Sequence, residues 1–503
     1  MASSSSDLTP EMLLRNIRDF QGSSSQGVTY ESINENLRKA TYAVRGAIVE
    51  QANALKAKLE KGEDLPFDTM LYCNLGNPQA VQQPPITFTR QVMALLEYPP
   101  LIEDPRARDL FPEDVIQRAI TLRDALPGGL GAYSDSRGHR HIRQNVASFI
   151  EKRDGFPCDP DAVFLSDGAT PSITRVMQML LRDGDDAIMI PIPTYPLYTA
   201  CLTLMGGAGC FYHLDEDKNW SLTIEELQLR LEEGRGKGKN VRALVIINPG
   251  NPAGNVLSHE NMQEIIRFCA REQVALLADE VYQPNIYSED LPFISFKQVL
   301  CEMIEEAPNV QLFSFHSTSK GYTGECGKRG GFVELFNVSE KVLAEYNKFC
   351  SLSLCSNLTG QVSVDLAVKP PQEGDPSYSL FQQERDAILG SLKRKAVTLV
   401  DAFQSMEGFS CNSPQGALYA FPRIVLPEKL VAEAEAKGVK PDFLYCSKLL
   451  DQTGIVVVPG SGFMQRDGTY HFRTTFLPRE DLIPGVVEKL KTFHAAFMEQ
   501  YRD

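Results

Sequence analysis

Four short apolar runs constrain the fold of this chain more than any other feature of its sequence. They show little alternation between apolar and polar residues, which is typical of strands buried on both faces of a parallel sheet; they lie at 186–191, 242–248, 274–280 and 311–317. A helical pattern over 259–273, with one apolar stripe, separates the second run from the third. Parallel neighbours need such a crossover, so residues 109–370 are predicted to form one large α/β domain.

A change in composition marks the end of this predicted domain. The segment KPPQEGDPS (369–377) is rich in proline, glycine and acidic residues, as boundaries often are. Beyond it, a long charged helix at 381–406 and strands at 417–422, 454–460 and 470–476 predict a smaller α+β domain over 371–503. We expect residues 41–108 to form part of this small domain. Residues 1–40 are interpreted as an N-terminal arm with one short amphipathic helix at about 8–20.

Charge and cysteine content exclude several classes of protein. The chain has 50 basic and 65 acidic residues, a formal net charge of −15, which disfavours nucleic-acid partners and anionic membrane surfaces. No window of 18 residues is continuously apolar, so no membrane span is expected. The eleven cysteines include no C-x-x-C pair, which argues for reduced thiols. A cytoplasmic location is predicted, with a mitochondrial or peroxisomal one as the alternative, and no metal site is expected.

Two polar residues stand where the third and fourth apolar runs end. Asp279 closes the run VALLADE, and Lys320 ends the sequence Ser-Thr-Ser-Lys after QLFSFHS. Ligands of open α/β sheets bind at the carboxyl ends of the strands. A desolvated lysine near the cations Lys328 and Arg329 is a candidate Schiff-base nucleophile, and a buried carboxylate needs a cation such as a protonated pyridine nitrogen. Each motif alone also fits a simpler interpretation, a solvated loop lysine or a turn-capping aspartate.

Three loops at the ends of apolar segments carry further candidates. NPGNPAG (248–254) is a rigid turn in which Asn251 can donate a hydrogen bond to a ring oxygen. DGATP (167–171) leads into a helical pattern over 171–183, where backbone N–H groups favour an anion and Thr170 adds a hydroxyl or caps the helix. PIPTYPLY (191–198) offers Tyr195 as an aromatic lid for a planar ring. An ordinary turn, helix cap or hydrophobic loop is the alternative for each.

The order of these motifs resembles that of fold-type I pyridoxal-phosphate enzymes, specifically class I aminotransferases of the alanine aminotransferase branch. The resemblance extends from about Tyr42 to the C-terminus. It is carried by YAVRG (42–46), NLGNPQ (74–79), GAYSDSRG (131–138), PIPTYPLY (191–198), INPGNPAGNV (247–256), LLADEVYQ (276–283), HSTSKGYTGECGKRGG (316–331), QGALYAFP (415–422) and VVPGSGF (457–463). It implies a large three-layer α/β/α domain with a mostly parallel sheet, a smaller α+β domain, and pyridoxal 5'-phosphate as cofactor.

The resemblance also implies roles for residues around the cofactor ring. Lys320 would bind pyridoxal phosphate covalently and later shuttle a proton. Asp279 would pair with the ring nitrogen, and Tyr195 would stack on the ring face. Asn251 and Tyr282 would hydrogen-bond to the ring oxygen.

Phosphate and substrate contacts follow from the same resemblance. The phosphate would be held by Ala169, Thr170, Ser317, Ser319 and Arg329, and by Tyr133 of a neighbouring subunit, which implies a homodimer. Most class I relatives place the phosphate arginine eight residues after the lysine, where this chain has Lys328, so Lys328 is the alternative to Arg329. The substrate would be bound by Arg473 through a bidentate fork, by the backbone N–H of Gly76 and by Asn251.

The activity implied is transfer of the amino group of L-alanine to 2-oxoglutarate, in two half-reactions. Glutamate:glyoxylate aminotransfer is a close alternative, because the residues that read the substrate side chain are not marked in the sequence. A lyase on the same scaffold, related to aminocyclopropane-carboxylate synthase, is a third hypothesis. A non-enzymatic DNA-binding regulator is disfavoured by the acidic charge.

Overall fold

The computed structural model describes residues 28–42 and 46–502 of the chain. The expected helix at about 8–20 lies outside these residues. The described helices are α1 Glu35–Lys39, α2 Ala47–Glu60, α3 Thr87–Glu97, α4 Pro100–Glu103, α5 Ala107–Leu110, α6 Glu113–Ala125, α7 Arg140–Asp154, α8 Ala169–Leu180, α9 Pro196–Met205, α10 Ile224–Gly236, α11 His259–Glu272, α12 Phe296–Glu302, α13 Glu340–Ser351, α14 Leu358–Val368, α15 Tyr378–Gln404, α16 Glu428–Ala436, α17 Pro441–Thr453 and α18 Ile483–Tyr501.

A seven-stranded sheet forms the centre of the large domain. Its strands, in the spatial order β2-β8-β7-β6-β5-β3-β4, are β2 Val163–Asp167, β3 Asp186–Ile192, β4 Ala208–His213, β5 Asn240–Ile247, β6 Ala275–Asp279, β7 Leu312–Ser317 and β8 Gly330–Phe336. Only β8 runs antiparallel to its neighbours, β2 and β7. The predicted mostly parallel sheet is therefore confirmed, and all four apolar runs are strands within it.

Helices cover both faces of this sheet, which makes the domain three-layered. Along β5, Leu244 and Ile246 face a core shared with α11, whereas Ala243 and Val245 face a core shared with α8 and α9. Because successive side chains of a strand point to opposite faces, a strand covered on both sides must be apolar throughout. This explains the lack of alternation in the sequence.

The C-terminal part contains short strands packed on long helices. The strands β10 Tyr419–Ala420, β14 Phe472–Thr475 and β13 Val458–Pro459 form an antiparallel sheet, and β11 Arg423–Ile424 pairs with β9 Phe409–Ser410. The strand predicted over 454–460 is two strands, because β12 Ile455–Val456 pairs instead with β1 Leu71–Tyr72. Gln51, on α2, donates a hydrogen bond to Asp451 on α17, so the segment before residue 73 packs against this part.

Helix α8 begins earlier than the sequence pattern predicts. Its N-cap is Gly168, with φ 80° and ψ 176°, and the helix starts at Ala169 rather than at Pro171. That backbone region is open essentially to glycine alone. The suggestion that Thr170 caps the helix is therefore wrong, because Thr170 lies within the first turn.

Within residues 28–42 and 46–502, no helix combines the length and the apolar composition that crossing a bilayer requires. The eleven cysteines are free thiols.

Candidate active site

The strand register places the predicted site residues at one edge of the sheet. Asp279, the last residue of β6, is paired with Ile247 of β5 and with Phe315 of β7. The loops after these strands, which carry Asn251 and Lys320, therefore leave the sheet at the same level. Parallel strands end on the same side, so this convergence follows directly from the topology.

Asp279 lies in an almost closed environment. Its side chain is 4% exposed, and burial raises the pKa of its carboxyl group to about 6. The hydrogen bond donated by the Tyr198 hydroxyl, at 2.9 Å, opposes that rise, as does the charge of Lys320. A carboxylate held here is stabilised by a cation more strongly than one in water would be.

The amine of Lys320 lies among backbone and aromatic groups. Its Nζ donates a hydrogen bond to the carbonyl oxygen of Gly76 at 2.6 Å and lies 6.0 Å from the ring centroid of Tyr282. The neighbouring Thr323 hydroxyl donates hydrogen bonds to the carbonyls of Thr318 and Lys320, each at 2.8 Å, which fixes the loop. The sequence predicted that the N–H of Gly76 would bind the substrate. In the structure, the carbonyl of Gly76 also contacts the Lys320 amine.

The Gly168 turn forms the second part of the site. The guanidinium of Arg329 donates hydrogen bonds to the carbonyls of Asp167 and Cys326, both at 2.9 Å. A Cβ atom added at Gly168 would overlap that guanidinium, so the missing side chain makes room for the guanidinium beside the N-terminus of α8. The Gly168 turn, this N-terminus and the guanidinium are together called the cradle. Backbone N–H groups at a helix N-terminus, together with an arginine, form an anion site.

The hydroxyl-bearing residues predicted for the phosphate lie along the same edge. Ser317, the last residue of β7, and Ser319, two residues later, are buried, and the Ser319 N–H donates a hydrogen bond to Ser317 Oγ at 3.4 Å. Ala169 and Thr170 form the first turn of α8, where Ala169 is half-buried and Thr170 is exposed.

Asn251 connects the ring side of the site to the substrate side. Its Nδ2 donates a hydrogen bond to the Tyr282 hydroxyl at 3.3 Å, and its Oδ1 accepts one from Arg473 Nη1 at 3.1 Å. Arg473 Nη2 donates to the carbonyl of Asn74 at 3.1 Å. Arg473 is 2% exposed, so a carboxylate that reached it would be largely shielded from water.

Tyr195 stands at the entrance to α9, where it is the N-cap residue. Its hydroxyl lies 2.6 Å from that of Tyr42, and the two rings make a T-shaped contact with an interplanar angle of 73° and centroids 6.3 Å apart. Tyr42, just after the predicted arm, therefore borders the site.

Tyr133 is the one predicted site residue that the structure places apart from the others. It is 79% exposed. It lines a surface recess together with Leu126, His139 and Leu358, none of which belongs to the site described above.

Several functional residues escaped the sequence reasoning. Tyr198 stands three residues after Tyr195 in the quoted motif PIPTYPLY, and its place in the first turn of α9 was a signal that it faces the same edge. Tyr419, Phe463 and Asn74 surround Arg473; Tyr419 and Asn74 lie more than 50 residues away from it along the chain, and Phe463 lies ten residues before it, across the turn that joins β13 to β14.

The residues present fit the expected cofactor. Buried Asp279 suits a protonated ring nitrogen, the Gly168 cradle with Arg329 suits a phosphate, and the Lys320 amine stands between these two positions in the strand order. A Cβ atom at Gly331 would come within 2.6 Å of the Gly168 backbone, so a second glycine keeps the cradle open. Within the described ranges, no three metal-binding side chains cluster.

Known proteins with a similar sequence or fold are aminotransferases. A family model described as "Aminotransferase class I and II" matches residues 105–489, most of the chain. "Probable alanine aminotransferase, mitochondrial" from Dictyostelium discoideum is 48% identical over 483 residues, which cover 95% of this chain and 90% of that protein. "Glutamate--glyoxylate aminotransferase 2" from Arabidopsis thaliana is 45% identical over 481 residues, which cover 95% and 98% of the two chains.

Among solved structures, the alanine aminotransferase from Pyrococcus furiosus matches 92% of this chain and 99% of its own with a TM-score of 0.72. At 21% identity this match shows the fold alone. The match to the family model and the relative at 48% identity show the family as well as the fold. This chain therefore belongs to the class I and II aminotransferases, which are pyridoxal-phosphate-dependent enzymes.

Proposed function

We propose that this aminotransferase moves the amino group of L-alanine to 2-oxoglutarate, giving pyruvate and L-glutamate. One observation carries the proposal: the amine of Lys320 and the guanidinium of Arg473 both border Tyr419, so one pocket offers a group for each end of an α-amino acid. The choice of L-alanine is supported by the relative at 48% identity that is named an alanine aminotransferase.

The proposed division of labour follows from the contacts. When bound, pyridoxal phosphate supplies an aldehyde that takes up the amino group and a cationic ring that withdraws electron density. Asp279 keeps the ring nitrogen protonated, and Tyr198 holds that carboxylate in its ionised form. Lys320 binds the cofactor and moves the proton of the substrate Cα, while Arg473 orients the carboxylate.

The remaining contacts hold the cofactor in place. The phosphate is proposed to lie against the N–H groups of Ala169 and Thr170, the hydroxyls of Ser317 and Ser319, and the Arg329 guanidinium. Asn251 and Tyr282 hold the ring oxygen, and Tyr195 covers the ring face. The position of Arg329 against the Gly168 turn supports it over Lys328.

The visible spectrum of the purified holoenzyme tests this proposal directly. Adding L-alanine should bleach the absorbance band of the lysine-bound cofactor, and adding 2-oxoglutarate should restore it. Initial velocities should give parallel double-reciprocal lines, as expected for two half-reactions. Lys320→Ala should abolish both the band and the turnover, whereas Lys348→Ala, at an exposed helix position, should leave them unchanged. Turnover by Lys320→Ala at the wild-type rate would exclude the proposal.

Glutamate:glyoxylate aminotransfer is a second candidate, because a relative with that name is 45% identical over 95% of the chain. Comparing kcat/KM for pyruvate and for glyoxylate, with L-glutamate as donor, separates the two activities. A lyase would release product from L-alanine or a related amino acid without transferring its amino group to 2-oxoglutarate.

A homodimer is proposed from the position of Tyr133. The exposed side chains of Leu352 and Leu354 lie near it in the fold, since the N–H of Ser134 donates a hydrogen bond to the thiol of Cys355. An exposed aromatic and aliphatic patch of this kind fits an interface. Sedimentation of the holoenzyme should show a dimer, and a fully active monomer would contradict this proposal.

Two further expectations accompany the activity. The domain division is proposed as 109–370 for the large domain and 41–108 together with 371–503 for the small one, which limited proteolysis can test. The cytoplasm is the proposed compartment, although the Dictyostelium relative is named as mitochondrial. Import into isolated mitochondria would decide between them.

A further inference from the structure

The guanidinium of Arg473 lies between two aromatic rings. Its Cζ atom is 4.2 Å from the ring centroid of Tyr419 and 4.7 Å from that of Phe463. Both rings are buried. Cations over aromatic faces are attracted by the ring quadrupole, and a planar group between two rings cannot rotate freely. The two rings therefore fix the plane of the guanidinium.

The guanidinium of Arg473 has N–H donors that its hydrogen bonds within the chain do not use. Nη1 and Nη2 each donate to one partner, on Asn251 and Asn74, but Nε is buried without a partner. Burying a donor without an acceptor is energetically unfavourable. An incoming carboxylate that accepts from Nε would remove this cost, so the orientation of the fork matters for binding.

The Tyr419 hydroxyl is held in place as well. It accepts a hydrogen bond from the Tyr282 hydroxyl at 3.2 Å. Burial by itself would raise the pKa of Tyr419, but the charges of Lys320 and Arg473 lower it below its usual value. A Cβ atom at Gly76 would overlap this hydroxyl, so only glycine at position 76 leaves room for it.

We propose that Tyr419 is a positioning residue of the substrate site: with Phe463 it holds the Arg473 guanidinium in the plane that receives the substrate carboxylate, and its hydroxyl anchors the ring through Tyr282. This inference rests on the proposed amino-acid transfer. All four substrates of that reaction share the α-carboxylate. Loss of the Tyr419 ring should therefore raise KM for the two amino acids and the two 2-oxo acids by similar factors, with a smaller change in kcat.

The test uses the holoenzyme and propionate, which has the carboxylate of L-alanine without its amino group. Its dissociation constant is titrated through the visible absorbance of the bound cofactor. Tyr419→Leu removes the ring and should weaken propionate binding about tenfold, and Phe463→Leu should do the same. Tyr419→Phe keeps the ring and should stay within about threefold of the wild type. Phe497→Leu removes a buried ring from the α18 side of the small domain and should change nothing in this titration.

A second pair of variants tests the anchoring hydroxyl. Gly76→Ala should raise KM for all substrates, because its methyl group displaces the Tyr419 hydroxyl. Adding Tyr419→Phe should recover part of that loss, since the nearest ring carbon of Tyr419 is 3.4 Å from the added Cβ, whereas the Lys320 amine, at 3.1 Å, stays crowded in both variants. This pair also keeps the inference testable if Tyr419→Leu does not fold.

Each outcome separates this inference from the proposed function. Wild-type propionate affinity in Tyr419→Leu, or equal losses in Tyr419→Phe and Tyr419→Leu, would overturn the role of the ring. The absence of any recovery in the double variant would overturn the placement of the Tyr419 hydroxyl beside Gly76, on which its contact with Tyr282 depends. A wild-type enzyme that binds propionate but transfers no amino group would refute the proposed function and leave this inference standing.

Discussion

Replacing Asp279 by asparagine should stabilise the cofactor-free protein and weaken the holoenzyme. In the folded chain, burial raises the pKa of the Asp279 carboxyl group from 3.8 to about 6. The folded value is the higher one, so the favourable contribution of this group is complete below about pH 4 and is lost as the pH rises through 6. A shift of about two pKa units corresponds to about 3 kcal/mol. Asparagine has the same shape and carries no charge at any of these pH values.

The assay is urea unfolding of the cofactor-free proteins at pH 4.5 and at pH 8. The free energy of unfolding of Asp279→Asn relative to the wild type should rise by about 2 kcal/mol between these pH values, because about 1 of the 3 kcal/mol is already lost at pH 4.5, above the unfolded pKa of 3.8. Burial also raises the pKa of Glu280, to about 7, but this group titrates in both proteins and cancels from the difference. Cofactor affinity should move the other way and fall by about ten- to a hundredfold, because a charge-assisted contact with the ring nitrogen is lost.

Asp365→Asn is the matched control. Asp365 is another buried carboxylate, and burial raises its pKa too, but it accepts its hydrogen bond from Asn145 on α7. Its replacement should alter stability and leave cofactor affinity unchanged. If Asp279→Asn gained no stability over the wild type between pH 4.5 and 8, the burial argument would be refuted. If it bound pyridoxal phosphate as tightly as the wild type does, the pairing with the ring nitrogen would be refuted.

Three further perturbations probe other contacts. Tyr198→Phe removes the hydrogen bond that lowers the pKa of Asp279. The apparent pKa on the acid side of the pH dependence of kcat/KM should therefore rise by about one unit. Arg473→Lys keeps the charge but loses the fork, and KM for L-alanine should rise about a hundredfold with little change in kcat. Gly168→Ala fills the phosphate cradle and should weaken cofactor binding at least tenfold in an absorbance titration, whereas Gly155→Ala, also at positive φ but with open space around it, should not.

The results that would contradict these three expectations are equally specific. An unmoved acid limb in the phenylalanine variant would mean that the hydroxyl does not hold the carboxylate ionised. A lysine variant with wild-type KM would exclude the fork as the carboxylate site. Equal cofactor affinities in the two alanine variants would show that the cradle does not receive the phosphate.

The large domain could be predicted because its signals are local. Asp279 and Lys320 follow strands that are apolar throughout, and parallel strands end at one edge whatever the loops between them do. The small domain was harder to predict, because its strands are two to four residues long and some of them, such as β12 with β1 and β10 with β14, pair with strands far away in the chain. The run 454–460 illustrates this: β12 pairs with β1 while β13 pairs with β14, and nothing within the run indicates the change of partner.

The sequence by itself determined the layered α/β architecture and the convergence of Asp279, Asn251 and Lys320 at one edge of the sheet, because periodicity and the residues at strand ends are properties of neighbouring residues. Only the tertiary structure decided how Arg473 is held. Its contacts with Asn74, Asn251, Tyr419 and Phe463 come from four separate segments. They exist because folding excludes water from the space between the two domains, and a charge placed there must be held by whatever groups the packing brings to it.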